Sequence, residues 1–96
     1  QVVLATITGE TEGYAYKVRD ALIKAGIRAE LDIRNEKIGY KVRDHSNKKV
    51  PVLFILGKQE SSENSVAIRR LGSQKNQTMS MENAIIAIKD EAAPPL

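Results

Sequence analysis

The chain contains no cysteine, which removes disulfides, thiolate nucleophiles and zinc–thiolate sites together. That composition fits a reducing cytosol, and a cytoplasmic location is expected. With His45 as the only histidine, a histidine-based metal cluster is excluded as well. Aromatics are scarce: Phe54, Tyr14, Tyr16 and Tyr40 leave little to stack on a flavin ring. No apolar run approaches the ~20 residues that a bilayer-spanning helix needs. The longest, Val50 to Leu56, contains Pro51 and has the length of a buried strand, so no membrane partner is expected. Gln1 brings no initiator methionine, basic leader or small-residue cleavage site, and the start reads as a cut inside a longer polypeptide.

What is present suffices for one core. A chain of 96 residues, 42% of them hydrophobic, can hide roughly 60 to 70% of the surface its unfolded form exposes. Residues 1–91 are expected to form one domain, and 92–96, with Pro94 and Pro95, a tail. The net charge of +3 is unevenly placed. Residues 1–33 carry four basic and five acidic groups and residues 50–96 five of each, whereas residues 34–49 carry six basic and two acidic. Arg34, Lys37, Lys41, Arg43, Lys48 and Lys49 therefore make up the excess. A cluster of this kind is the footprint of a polyanion site, or else a solvated helix face.

Periodicity supplies an α/β order. Val2, Val3, Leu4, Ala5 and Ile7 read as a strand covered on both faces. From Thr11, the recurrence of Tyr14, Ala15, Val18, Ala21, Leu22 and Ala25 predicts an amphipathic helix, stopped by Gly26 in a left-handed cap. Ile27, Ala29, Leu31 and Ile33 alternate with polar residues as a second strand, which makes a βαβ unit the economical connection. Asn35 is the expected N-cap of a short helix with Ile38 and Val42 inward and Lys37 and Lys41 outward. Gly39 weakens that helix by roughly 1 kcal/mol relative to alanine, which points to a close approach there. Val50–Leu56 is the expected central strand. The link from Gly57 to Asn64 is too short for a crossover, so Ser65–Arg70 should run antiparallel and make the sheet mixed. Gly72–Thr78 reads as a polar loop, and Ser80 as the cap of a last helix that buries Met81, Ala84, Ile85 and Ile88.

Four groups of residues compete for function. The turn Thr6-Ile7-Thr8-Gly9-Glu10-Thr11 resembles the phosphate loop of flavodoxin-like flavin binders, although Glu10 and Glu12 would repel an anion and a plain helix cap explains the spelling. His45, near a helix end, reads as a dipole partner, with no serine, cysteine or carboxylate marked beside it. The carboxylate pairs Glu10/Glu12 and Glu60/Glu63 read as surface. The basic segment, together with Glu60 and Arg69, combines phosphate-attracting cations with the forked groups that discriminate bases, and in unstacked RNA the base edges are open to such groups.

Gly26-Ile27-Arg28-Ala29-Glu30, the run from Asp32 to His45 (DIRNEKIGYKVRDH), Lys49-Val50-Pro51, Gly57-Lys58-Gln59-Glu60 and Val66-Ala67-Ile68-Arg69 resemble, in one register, the C-terminal domain of bacterial threonyl-tRNA synthetases, a family of class II aminoacyl-tRNA synthetases. The resemblance implies an α/β fold with a mixed five-stranded sheet and three helices. It implies a domain that binds the anticodon stem-loop of threonine tRNA, with no catalytic residue, metal or cofactor of its own. A separate catalytic domain with ATP and zinc sites would charge the tRNA and carry homodimerisation. Carried over by position, the tRNA contacts fall on Asn35, Arg43, Lys49, Glu60 and Arg69. Lys49 stands where the family commonly has arginine, so a phosphate contact is expected there in place of a bidentate one. The stretch Gly72–Met79 also departs from the family pattern. A small flavin or phosphate binder and a free-standing synthetase-like paralogue remain the alternative readings.

Overall fold

Residues 2–73 and 75–92 are described by a computed structural model of the chain. β1 (Val2–Thr6) leads through a 3₁₀ turn (Gly9–Thr11) into α1 (Glu12–Lys24), then β2 (Ala29–Asp32), α2 (Ile38–Asn47) and β3 (Val52–Leu56). A short α3 (Lys58–Glu63), β4 (Ser65–Arg70), β5 (Gln77–Ser80) and α4 (Met81–Ala92) complete it. The strand order is β2-β1-β3-β4-β5. β1 pairs parallel with β2 and β3, while β4 and β5 add antiparallel, giving the mixed sheet expected. Among the described residues three helices exceed six residues, and α3, with six, fits within the link that was too short for a crossover.

The two faces of the sheet are unequal. Val2, Leu4, Phe54, Leu56, Val66 and Ile68 point to one side, where α1 contributes Tyr14, Ala15, Val18 and Leu22 and α4 contributes Ala84 and Ile88. Burial of each large apolar side chain in this layer is worth about 1.5–3 kcal/mol, so the main core lies here. The other face carries Val3, Ala5, Leu53, Ile55 and Ala67, packed against Ile38, Val42 and Val50. Here α2 lies over β1, and the same face continues along the register row Ala5–Ile55–Ala67–Thr78, whose last member is exposed. Among the described residues no helix covers the β4–β5 end of that face.

Local details differ from the pattern reading in instructive ways. Gly26 adopts φ +83, as its helix-ending role demands, and Ser80 Oγ accepts from Asn83 N at 3.1 Å as an N-cap. Asn35, however, does not cap α2: Lys37 holds that position without a side-chain bond. The Arg34 backbone N–H and guanidinium both donate to the Asp32 carboxylate, and Glu36 N donates to Arg34 O at 2.8 Å, so the chain bends at residues 35–36 before the helix begins. The polar stretch before Ser80 contains β5, whose residues are exposed or half-buried and therefore leave no alternating signal. The expected 92–96 tail lies outside the described residues beyond Ala92.

Candidate nucleic-acid interface

The six cations of residues 34–49 do not form one uniform patch. Arg34 donates through Nε and Nη2 to Asp32, both at 2.8 Å, and through Nη2 to Asp44 at 3.0 Å. Its guanidinium also lies 5.5 Å from the centre of the Tyr40 ring. Lys48 pairs with Asp44 at 3.1 Å. Lys41 is buried. That corrects the outward orientation expected for Lys41: its Nζ donates to the Thr6 carbonyl at 2.8 Å, the Thr6 hydroxyl at 3.3 Å and the Asp32 carbonyl at 3.2 Å. Burial holds its ammonium pKa below the ordinary lysine value, with the Asp32 charge opposing. Lys37, Arg43 and Lys49 remain exposed, and none forms an ion pair among the described residues.

Asp32 is the hub of the charged network. Only 5% exposed, it accepts from Arg34 and lies 2.6 Å from His45 Nε2. The Arg34 hydrogen bonds, aided by His45 and opposed by burial, hold its carboxyl well below the usual carboxylate range. His45 thus has the carboxylate partner that its sequence neighbourhood did not reveal, supplied by β2, and the dipole reading is incomplete. Asp44 is also lowered, by Lys48 and then Arg34. Together these bonds pin the flank of α2 that carries Tyr40, Asp44 and Lys48 against the end of β2.

The opposite flank of α2 follows from the 100° step of the helix. Gly39, Arg43 and Ser46 share it and face the β3–β4 side. His45, Ser46, Val50 and Leu53 border a shallow depression with Arg69, whose strand pairs Leu53 with Arg69. A Cβ placed on Gly39 would meet nothing within 4 Å, so no contact among the described residues requires the glycine. Lys49 follows α2 at φ 60, inside a Schellman turn closed by Val50 N to His45 O and Lys49 N to Ser46 O, both 3.0 Å. Arg43, Lys49 and Arg69 therefore lie beside the uncovered sheet face.

Asn35 and Glu60 occupy the edge formed by the C-terminal ends of the parallel strands. A cleft of about 250 Å³ opens there, lined by Thr6, Thr8, Gly9, Asn35, Glu36 and Lys41 among others, below the roughly 300–1,000 Å³ of sites that enclose a drug-sized ligand. Glu60 is half-buried at the third position of α3, and its Oε1 accepts from Gly57 N at 2.7 Å. Glu60 is thus a helix-capping residue whatever else it does, with its second oxygen left for another donor. The five residues carried over from the family resemblance run along the length of α2, from Asn35 and Glu60 at one sheet edge to Lys49 and Arg69 at the other end of β3.

The Thr6–Thr11 turn has spent most of its hydroxyls. Thr11 Oγ1 donates to Thr8 O at 2.8 Å and lies 3.2 Å from Leu56 O, and the Thr6 hydroxyl accepts from Lys41. Of its three threonines only Thr8 is exposed, and Glu10 in the same turn pairs with Lys58 at 3.0 Å. A phosphate loop needs these groups free.

The family described as "Anticodon binding domain" matches residues 1–91. The threonine–tRNA ligase of Parvibaculum lavamentivorans is 56% identical over 95 residues, which span 99% of this chain and 15% of that protein. The threonine–tRNA ligase of Rhodopseudomonas palustris is 55% identical over the same length, 99% of this chain and 14% of the relative. The chain thus spans about 15% of the length of these relatives. Among solved structures, the RNA-binding domain of threonyl-tRNA synthetase from Cryptosporidium parvum shares the fold with a TM-score of 0.91 at 19% identity, covering 98% of this chain and 24% of that one.

Proposed function

The chain belongs to the anticodon-binding domain family, and from that premise we propose that it reads the anticodon loop of a threonine tRNA as one module of a threonine–tRNA ligase. The observation that carries the reading is that Lys37, Arg43 and Lys49, on and around α2, are exposed and form no ion pair among the described residues, with Arg43 and Lys49 beside the sheet face that no described helix covers. These groups attract RNA phosphates irrespective of sequence. Asn35, Glu60 and Arg69 supply the forked or two-oxygen groups that distinguish one base edge from another. We assign ATP binding, zinc and homodimer contacts to the remainder of the longer enzyme. Among the described residues no group of three or more His, Cys, Asp and Glu could hold a metal ion, and one histidine without cysteine does not fit zinc. Here recognition is binding alone: docking, positioning and discrimination, with no bond made or broken.

A direct test is binding of the 96-residue chain, which has its own core, to anticodon hairpins followed by fluorescence anisotropy across a salt series. The threonine hairpin should bind more tightly than hairpins with exchanged anticodon bases, and affinity for all of them should fall steeply with salt. Equal affinity for every anticodon would overturn the reading.

A further inference from the structure

We propose that Lys41 is a positioning residue for Asn35, acting from beneath the cleft that Asn35 lines as a cationic tie between the ends of β1 and β2. The inference rests on the anticodon reading above. Thr6 and Asp32 are the last residues of their strands, and past them the chain diverges into the two loops that wall the cleft, Ile7–Gly9 on one side and Ile33–Glu36 on the other. The Lys41 ammonium bonds the backbone carbonyls of both residues and the Thr6 hydroxyl besides. Its three N–H donors thus meet three acceptors, and none is left for an RNA phosphate.

A charge in this position needs a reason. Lys41 lies in the inward stripe of α2 with Ile38, Val42 and His45 and is 1% exposed. An apolar residue there would avoid the desolvation that a buried ammonium suffers. What methionine or leucine could not do is hold two carbonyls that meet in the same gap where β1–β2 pairing ends. The other side of the tie is secured too, because the Asp32 side chain is gripped by Arg34 and His45. Asn35 stands three residues past Asp32, so the spacing of the strand ends sets where its amide meets a base.

The role separates from that of a phosphate contact in one experiment. Lys41→Met, of similar length and uncharged, and Lys41→Arg are compared with the unmodified chain for affinity to the threonine hairpin and to exchanged anticodons, across salt, with melting curves in parallel. In folded Lys41→Met, discrimination should fall by about tenfold, the scale of one good base contact, while the salt slope stays unchanged. Lys41→Arg, which keeps donors for both carbonyls, should recover part of it. Unchanged discrimination in Lys41→Met overturns the proposal, as does a salt slope reduced by about one with equal loss for all RNAs. Should Lys41→Met fail to fold, Thr6→Val removes one acceptor from the other side: reduced discrimination at constant slope supports the tie, and unaltered discrimination overturns it. Absence of discrimination in the unmodified chain is a different failure, that of the anticodon reading itself, and the positioning role falls with it.

Discussion

His45 Nε2 lies 2.6 Å from Oδ2 of Asp32, joining the last turn of α2 to the final residue of β2. Arg34 grips the same carboxylate from the loop between them. One buried anion therefore fixes the helix that carries the candidate RNA contacts, and its protonation should be felt by the entire domain.

Asp32 ionises more readily in the folded chain than in the unfolded one, whose carboxyl titrates near 3.8. Its stabilisation is therefore complete above about pH 4 and is lost as pH falls from there toward the lowered folded value. Asp32→Asn should cost about 2–3 kcal/mol at pH 7, the scale of hydrogen bonds to a charged group. The gap to the parent should narrow below pH 4. Urea melts at several pH values would show it, and parallel acid slopes in the two proteins would contradict it.

Lys49 adopts φ 60, a conformation that costs a non-glycine residue roughly 1 kcal/mol or more. Glycine is the usual residue at this place in a Schellman turn. Lys49→Gly is expected to raise the melting temperature by a few degrees while weakening RNA binding and lowering the salt slope by about one. A lower melting temperature would show that the side chain itself stabilises the turn.

Glu60 has two tasks that two substitutions pull apart. Glu60→Ala removes the bond to Gly57 N and should cost about 1 kcal/mol of stability. Glu60→Gln keeps an acceptor for that amide and should melt close to the parent. Both lose the carboxylate, so both should discriminate anticodons less well. Full discrimination in Glu60→Gln would leave Glu60 with capping alone.

Arg43 and Lys48 are both exposed cations, yet Lys48 is engaged by Asp44. Arg43→Ala should weaken every RNA and flatten the salt dependence by about one, with stability nearly unchanged. Lys48→Ala should do much less. Titrations at two salt concentrations suffice, and equal slopes for the two variants would refute the difference.

Tyr14 donates its hydroxyl to Ser65 O at 2.8 Å beneath the sheet. Burial, with the Glu60 charge nearby, pushes its phenol up to about 12 from 10.0. The unfolded chain thus loses this proton first, so Tyr14 makes the fold less stable as pH rises from 10 toward 12. Tyr14→Phe should be less stable at neutral pH by about 1 kcal/mol and should lose this part of the alkaline decline. An unaltered alkaline profile in denaturant melts would count against it.

The helix that Gly26 ends, the paired strands and the mixed sheet were legible because each rests on a local rule. Period, turn chemistry and link length act over a few residues and need no knowledge of the neighbours. β5 left no such mark, since Gln77 and Thr78 are exposed and polar and become a strand only by pairing with β4. Lys41 shows the limit most clearly. Its charge argued for solvent and set it outward from Ile38 and Val42, whereas it is buried, and no local rule names the two carbonyls that receive it.

The sequence by itself determined the α/β order, the concentration of charge in residues 34–49 and the likeness to a tRNA-reading family, because composition and short-range periodicity are properties of the chain. Tertiary structure decided which cations are spent. Asp32, Asp44 and the ends of β1 and β2 claim Arg34, Lys48 and Lys41, and that allocation depends on groups brought together from distant strands and helices. Only after those claims are met do Lys37, Arg43 and Lys49 stand open to a polyanion, for Arg34 and Lys48 are already held by carboxylates and Lys41 by buried carbonyls.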